Sequence, residues 1–200
     1  MAWDTAGTRR RLLEAGAREF AAHGLAGARI DRISGEAGVN RERIYSYFGS
    51  KAGLFEAVLS DRLGSSLDDI AVSSEGPDAI GRFAGAYFDA LADDPTLARL
   101  VAWEGLERPD VVAIADRAAR SRRVVDQLCS ALPGTPRADV EDLFLTIVTW
   151  CYGWQVIPSL SRVVTGDPVD PARRRGALES QAVALARSLE NAPGHAEVSE

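Results

Sequence analysis

ARIDRISGEAGVNRERIYSYFGSKAGLFEAVL, from Ala28 to Leu59, is the stretch of sequence that decides the fold. Apolar residues recur at helical spacing on both sides of Gly38, which predicts two short helices joined by a tight turn. The positions expected to face inward are Ile30, Ile33, Ala37, Val39, Ile44 and Phe48. This pattern is typical of a helix-turn-helix, in which the first helix braces the second and the second enters the major groove of DNA.

Glycine, proline and capping residues divide the remaining sequence into further helical segments. The first helix is predicted over about Asp4 to His23, with Gly24 at its C-terminal cap. Asn40 and Ser50 are predicted to cap the second helix of the motif and the helix that follows it. Prolines at the first helical position predict five later helices, at about 77–92, 95–107, 109–132, 136–164 and 171–190. Pro158 is expected to kink or break the fourth of these.

The predicted fold class is all-α, with a three-helix head, a connecting helix and a C-terminal bundle of about five helices. The predicted boundaries are 1–50 for the helix-turn-helix domain, 51–66 for the connecting helix, 67–190 for the C-terminal domain and 191–200 for a disordered tail. Residues 1–60 have a formal charge of +2 and residues 61–200 one of −8, which together make the net charge of −6. This asymmetry predicts that only the head meets a polyanion.

Residue types needed for catalysis are sparse, which argues against an enzyme. The two histidines are His23 and His195, and the two cysteines, Cys129 and Cys151, form no CxxC pattern. The sequence has no HExxH, no Glu-x-x-His pair and no glycine-rich phosphate loop, so we expect no metal and no cofactor. A pair of catalytic carboxylates is the arrangement that the sequence leaves open. A charged N-terminus and the lack of an 18-residue apolar run predict a soluble cytoplasmic protein with reduced cysteines and no membrane partner.

The second helix of the motif is predicted to offer one row of side chains to DNA. On a helical wheel at about 100° per residue, Ile44 and Phe48 mark the inward side. The outward positions are Glu42 and Ser46 at the centre, Arg41 and Tyr45 on one flank, and Arg43 and Tyr47 on the other. Tyrosine hydroxyls and Lys51, the only lysine, suit phosphate oxygens, while arginine reaches guanine O6 and N7. The alternative is that the tyrosines cover a small core and the arginines form a solvated face.

At these residues the sequence resembles the TetR family of bacterial transcriptional regulators. The resemblance rests on three linked motifs: Ala37-Gly38-Val39, Ile44-Tyr45-Ser46-Tyr47-Phe48 and Ser50-Lys51-Ala52-Gly53-Leu54-Phe55. It is close over residues 28–59 and extends more loosely through the first helix. Three motifs at matching spacings are a far more specific signal than one short pattern.

The resemblance implies a homodimer in which each head recognises half of a palindromic DNA operator. It also implies a C-terminal domain that binds a small-molecule effector, with repression that the effector relieves. Carried over position by position, it implies DNA contacts from Arg29, Asn40, Arg41, Tyr45, Tyr47 and Lys51.

One pair of residues departs from the family pattern. Many members have small residues such as Gly-Thr where this chain has Glu42-Arg43. Glu42 is predicted to point most directly into the groove, where a carboxylate either accepts a hydrogen bond from a cytosine N4 amino group or repels phosphate. The alternative is an exposed glutamate held by neighbouring arginines.

The resemblance places the last two long helices in a four-helix dimer interface, and small residues there would permit close approach. The predicted interface residues are Ile147, Cys151, Leu178, Gln181, Ala182, Leu185 and Leu189. The alternative is that the last helix belongs to the core of one subunit.

A ligand cavity is expected among the segments 77–92, 95–107, 110–132 and 136–157. Its candidate lining residues are the aromatic side chains Phe83, Tyr87, Trp103, Phe144, Trp150 and Trp154. Aromatic residues at helical spacing fill cores by default, so plain core packing is the alternative for each. The run Arg173-Arg174-Arg175 is interpreted as a solvated cluster without a function.

Two other classes of function compete with a DNA-binding regulator. One is an all-α enzyme, and the other is a small-molecule-binding or interaction module whose head lacks DNA affinity. Binding to DNA that weakens steeply with salt is expected of the regulator only.

Overall fold

The computed structural model describes residues 5–66, 70–72 and 74–191, and its regular secondary structure is helical throughout that part of the chain. The predicted all-α fold class is therefore confirmed. The helices are α1 Thr5–Gly27, α2 Ile30–Ala37, α3 Arg41–Phe48, α4 Lys51–Ser66, α5 Pro77–Asp93, α6 Pro95–Glu107, α7 Ile114–Ala131, α8 Arg137–Val156, α9 Pro158–Thr165 and α10 Pro171–Glu190.

The chain folds into two compact units that do not follow chain order. The first unit contains α1 to α4 together with α6, and the second contains α5 and α7 to α10. Helix α6 packs mainly on α1 and also contacts α4. The boundaries predicted from sequence at residues 50 and 67 follow chain order, whereas packing adds residues 93–115 to the unit of the head. The functional roles assigned to those regions stay predictions.

The core of the first unit forms where the apolar faces of its short helices meet. Phe20 of α1 packs edge to face on Phe55 of α4, with ring centroids 5.2 Å apart. Ile33 of α2 and Ile44 of α3 are fully buried against this pair of longer helices. Burial of one such side chain stabilises a fold by roughly 1.5–3 kcal/mol. The short α2 and α3 therefore depend on this packing for their stability.

Local sequence signals set the ends of α2, α3 and α4 as predicted. Gly38 adopts the left-handed conformation (φ 62°, ψ 36°) that closes α2. The Asn40 side chain accepts a hydrogen bond from the backbone N–H of Glu42 at 3.1 Å, and Ser50 Oγ accepts one from that of Gly53 at 2.9 Å. These caps satisfy donors that the first turn of each helix leaves without a partner.

Two predicted helix ends are wrong, and both errors have a tertiary cause. Gly24 is a break inside α1 rather than its end, because the chain resumes a helical turn after it and continues to Gly27. Pro109 opens no helix, since the backbone N–H of Val112 donates to the buried carboxylate of Glu104 at 2.7 Å. This bond holds the segment in an irregular path, and α7 begins only at Ile114.

Two other features of the C-terminal region concern Pro158 and the tail. Helix α8 ends at Val156 and α9 begins at Pro158, with an angle of 89° between them, so the predicted break is confirmed. The predicted disordered tail lies outside the described residues, except for Asn191. Within the described residues, no helix taken singly is long and apolar enough to cross a membrane, and only α8 and α9 joined across their bend pass that test.

Candidate functional site

Helix α3 presents the row of side chains that the helical wheel predicted. Ile44 is fully buried, while Glu42 and Ser46 on the opposite side are exposed. Tyr45 is 43% exposed, so much of its aromatic ring is in contact with water. Tyr47 is half-buried with its ring edge against Phe48. The two aromatic flanks and the outward centre of α3 therefore form one accessible face.

One charged side chain on this face, Arg41, forms an ion pair with a residue of α2. Arg41 is exposed and pairs with Asp31 at 3.3 Å. An exposed pair of this kind contributes only about 0–1 kcal/mol, so a phosphate or a base edge can displace Asp31 at little cost. Arg41 thus combines a defined position with an available guanidinium.

Arg9 is a further cation beside α3 that the sequence did not single out. Its guanidinium lies over the Phe48 ring, 5.7 Å from the ring centroid. This cation–π contact places the first turns of α1, which also include the exposed Arg10 and Arg11, beside the C-terminal end of α3. The arginine run at residues 9–11 was the available signal, but only the fold reveals its neighbour.

Lys51, predicted to donate to phosphate, has a second role in the structure. Its Nζ donates to the backbone carbonyls of Ala26 at 3.2 Å and Ala28 at 3.1 Å. It therefore ties the start of α4 to the junction between α1 and α2. An ammonium has three donors, which leaves one N–H for a phosphate. The contact between Lys51 and a phosphate stays a prediction, and one N–H of the ammonium is left to make it.

Glu19 is the main residue in the head that sequence reasoning missed. It is 8% exposed and accepts hydrogen bonds from the backbone N–H of Arg29 at 2.9 Å and from Arg32 at 3.3 Å. Its carboxylate therefore fixes the first turn of α2, where an anion also suits the helix dipole. A carboxylate on the same face of α1 as Leu12 and Phe20 was the available signal, because a buried glutamate needs a partner.

Trp103, predicted to line a ligand cavity, lies instead in the first unit on α1. Its indole N–H donates to the backbone carbonyl of Ala21 at 3.2 Å, and Arg99 donates to the same oxygen at 2.8 Å. Glu107 accepts hydrogen bonds from the backbone N–H groups of Leu25 and Ala26. We call these contacts the α6–α1 joint, and they satisfy the backbone groups that the break at Gly24 exposes.

The other predicted pocket residues divide into two groups in the second unit. Phe83, Tyr87 and Phe144 pack on one another with ring centroids 5.9–6.5 Å apart; Phe83 and Tyr87 are buried core residues and Phe144 is half-buried. Trp150 and Trp154 line a cavity of about 400 Å³ between the end of α8, all of α9 and the start of α10. This cavity lies mostly beyond the segments at 77–157 among which a ligand cavity was expected, and that expectation stays a prediction.

The interpretation of the arginine run 173–175 as a solvated cluster agrees with the exposed Arg173 and is wrong for the half-buried Arg174 and Arg175. Arg173 and Arg174 line this cavity, and the Arg174 guanidinium lies over the Trp154 ring at 5.9 Å. Arg175 pairs with Asp89 at 2.7 Å and with Glu179 at 2.8 Å. Arg174 and Arg175 thus have defined side-chain contacts, which helix-dipole reasoning alone did not reveal.

The residues predicted for a dimer interface lie on two different faces of α8 and α10. Four of them, Ile147, Cys151, Leu178 and Ala182, are fully buried within the chain. They belong to the core of the second unit, because α8 and α10 pack on each other, and they are removed from any surface that a second subunit could contact. Gln181 and Leu185 remain exposed, and Leu189 is half-buried.

Burial disfavours ionisation of two side chains in the second unit, Cys151 and Tyr87. Burial raises the pKa of the Cys151 thiol to about 12, so it stays protonated near neutral pH and is a poor nucleophile. Burial, and next the adjacent Tyr152, raises the pKa of Tyr87 well above its ordinary value. Among the residues that the structure describes, no three His, Cys, Asp or Glu side chains meet in a group that could hold a metal ion.

Comparison with protein families gives two matches that together span most of the chain. Residues 12–58 match the family described as bacterial regulatory proteins, tetR family. Residues 79–184 match the tetracyclin repressor-like C-terminal domain. The first match covers α2 and α3 and therefore the exposed face described above.

Individual relatives agree with the family matches. The chain is 33% identical over 173 residues to the HTH-type transcriptional repressor SCO4008 of Streptomyces coelicolor, which covers 82% of this chain and 86% of the repressor. It is also similar to the crystal structure of a transcriptional regulator, SCO4942, from the same species. That match has a TM-score of 0.74 and 31% identity, covering 89% of this chain and 97% of the other.

A more distant structure shows the same fold. The regulator FadR from Bacillus subtilis, solved in complex with stearoyl-CoA, matches with a TM-score of 0.63 at 18% identity. The match covers 88% of this chain and 97% of FadR.

Proposed function

Because this chain belongs to the TetR family of bacterial transcriptional regulators, we propose that it is a repressor that binds a palindromic operator as a homodimer. A small molecule bound in the second unit releases the operator. The observation that supports DNA binding best is the exposed face of α3, where Tyr45 stands open to solvent above the fully buried Ile44. The protein acts in the cytoplasm, where its operator is.

The face of α3 has the chemistry for both kinds of contact that a DNA reader makes. Tyr45, Tyr47 and the remaining Lys51 N–H are donors for phosphate oxygens on the two sides of the groove. Arg41 and Arg43 supply guanidiniums for guanine O6 and N7. Arg29 and Asn40, which precede α2 and α3, are the other residues proposed to contact DNA. Phosphate contacts position the helix and arginine contacts select the sequence.

The homodimer is proposed to use the exposed faces of α8 and α10. Leu145 of α8 is 62% exposed and Leu185 of α10 is 39% exposed. Gln181 and Ala184, also exposed on α10, are short or flexible enough to let two helices approach closely. Four helices, two from each subunit, would cover these side chains from water.

The α6–α1 joint is the proposed route from the ligand to the DNA. Helix α6 is hydrogen-bonded to α1 in the first unit, while the chain continues from both of its ends into helices of the second unit. A ligand that binds one arrangement of the second unit better than another shifts the population of head positions by the same free energy. In this proposal, a displacement of α6 is transmitted through the joint to α1 and from α1 to α3.

Retention of DNA at several salt concentrations tests the proposed function. Fluorescence anisotropy of a genomic operator fragment at 50–200 mM salt is expected to show a steep linear fall of log affinity with log salt, losing roughly 10³-fold or more if about six phosphates are contacted. Selection from fragmented genomic DNA supplies the operator. If the protein dimerises but retains no DNA even at low salt, an interaction module without DNA affinity replaces the proposal.

Substitution of Glu42 is expected to change which operator bases are preferred, because the exposed carboxylate stands at the centre of the outward face of α3. Operator selection with Glu42→Ala should yield a consensus altered at one or two positions per half-site. Tyr47→Phe serves as the matched comparison, since loss of one phosphate donor should weaken all sequences alike. An unchanged consensus for Glu42→Ala would exclude base recognition by this residue.

A further inference from the structure

The cavity at the end of α8 has mostly apolar walls and two arginines in its lining. Its walls include the indoles of Trp150 and Trp154 on α8 and the side chains of Ile157 and Leu160 at the start of α9. Its volume of about 400 Å³ lies within the range of small-molecule sites. Ile157 and Leu160 are 50% and 54% exposed, so these apolar side chains are left in water when the cavity is empty. An apolar body that fills the cavity would remove this surface from water.

The charged groups that line the cavity are two cations, Arg173 and Arg174. The hydroxyls of Thr149, Ser161 and Thr165 already donate to backbone carbonyls of their own segments. Arg173 and Arg174 lie in the first turn of α10, and within the described residues neither guanidinium has a carboxylate within 4 Å. The lining contains no Asp or Glu. The Asp170 carboxylate already caps the N-terminus of α10 by accepting a hydrogen bond from the backbone N–H of Ala172 at 3.2 Å, so an anion in the cavity would have to be recognised by the two guanidiniums.

We infer that this cavity binds an apolar organic anion, with the apolar body against Trp150, Trp154 and α9 and the anionic group on Arg173 and Arg174. Two cations without a carboxylate partner beside an apolar wall are complementary to such a molecule, and charge-assisted hydrogen bonds from guanidinium to carboxylate are among the strongest that proteins make. Neutral apolar molecules would leave both cations without a partner. The inference rests on the proposed function, because it names the chemical class of the effector.

The pair of Arg173 and Arg174 differs from its neighbour Arg175 in a way that supports this role. Arg175 is neutralised by Asp89 and Glu179 and holds α10 to α5. Arg174 instead stacks over Trp154, which orients its guanidinium along the aromatic wall of the cavity. One arginine of the run is therefore structural, and the other two remain available to an anion.

Two fluorescent probes that share one apolar body separate charge recognition from apolar binding. The probes are 8-anilinonaphthalene-1-sulfonate and the neutral N-phenyl-1-naphthylamine, which lacks the sulfonate. We expect the double variant Arg173→Gln/Arg174→Gln to bind the anionic probe at least tenfold more weakly and the neutral probe within twofold of wild type. Trp150→Ala should weaken both probes at least fivefold.

Two further variants control for net charge and for folding. Arg122→Gln/Arg123→Gln removes the same charge from exposed positions on α7 that do not line the cavity, and it should leave both affinities unchanged. Arg173→Lys/Arg174→Lys keeps the charge but loses the planar guanidinium, so it should bind the anionic probe more tightly than the Gln double variant and more weakly than wild type. Circular dichroism of each variant should match wild type.

Several results would overturn the inference. Equal loss of both probes in the Arg173→Gln/Arg174→Gln protein would show that the arginines do not recognise charge. Loss of anionic-probe binding as protein concentration rises and dimers form would show that a second copy of the chain covers the cavity. If operator binding stays intact while the anionic probe is indifferent to both arginines, the inference fails and the proposed function stands. If no operator is bound, the proposed function fails, and the probe experiment still decides whether the cavity takes anions.

Discussion

Replacing Gly24 with alanine is expected to lower the free energy of unfolding by about 3 kcal/mol or more, because its backbone lies in a region that is essentially restricted to glycine. Gly24 has φ 69° and ψ −178°, inside the break of α1. A Cβ there would lie 2.6 Å from a Glu107 carboxylate oxygen and 2.8 Å from Trp103 Cε3. The variant must therefore strain its backbone and also open the α6–α1 joint. Urea unfolding followed by circular dichroism measures the change.

Gly27→Ala is the matched control in the same helix. Gly27 has an ordinary helical φ, and an added Cβ would meet only the Cβ of His23 at 3.4 Å. We expect a change in unfolding free energy within about 1 kcal/mol, with stabilisation the favoured direction. Equal destabilisation by the two substitutions would mean that the α6–α1 joint places no special demand on Gly24.

Reversing the charge of Arg41 is expected to weaken operator binding at least about 100-fold, because loss of one arginine contact costs about 1–3 kcal/mol and reversal adds repulsion from phosphate. Arg41 is 56% exposed on the outward face of α3, and its partner Asp31 is 77% exposed. The Arg41→Glu protein should also show a reduced dependence of log affinity on log salt. Anisotropy titrations of a selected operator at two salt concentrations measure both effects.

Arg122→Glu supplies the same change in net charge on an exposed position of α7. It should alter operator affinity by less than about threefold, since screening at 0.15 M salt limits exposed charges to about 8 Å. If both variants lose affinity equally, operator binding would depend on total charge, and α3 would lose its assigned role.

Most of the head could be predicted because its signals are local. The outward face of α3 follows from the positions of Ile44 and Phe48 alone, since side chains four apart share a face of a helix. The cap at Asn40 follows from the preference of a short polar side chain for that position. Neither feature needs knowledge of any distant residue.

Other assignments depended on partners that are distant in sequence. Trp103 was expected at a cavity because it is aromatic, yet it bonds to Ala21, 82 residues away. Ile147 and Cys151 were expected at an interface because the resemblance to the TetR family places their helix there, and the fold buries them in the second unit. Hydrophobicity predicts burial, but it does not specify the partner that covers a residue.

The opening stretch from Ala28 to Leu59 by itself determined the two short helices, their turn at Gly38 and the side of α3 that stays exposed to solvent. Helical periodicity and capping relate residues that are at most about four positions apart, so all the residues that these signals need lie within the stretch. Only the tertiary structure decided that α6 joins the head through Glu107 and that two of the three arginines at 173–175 line a cavity. Both depend on long-range packing, which brings together side chains from helices that the sequence separates by tens of residues.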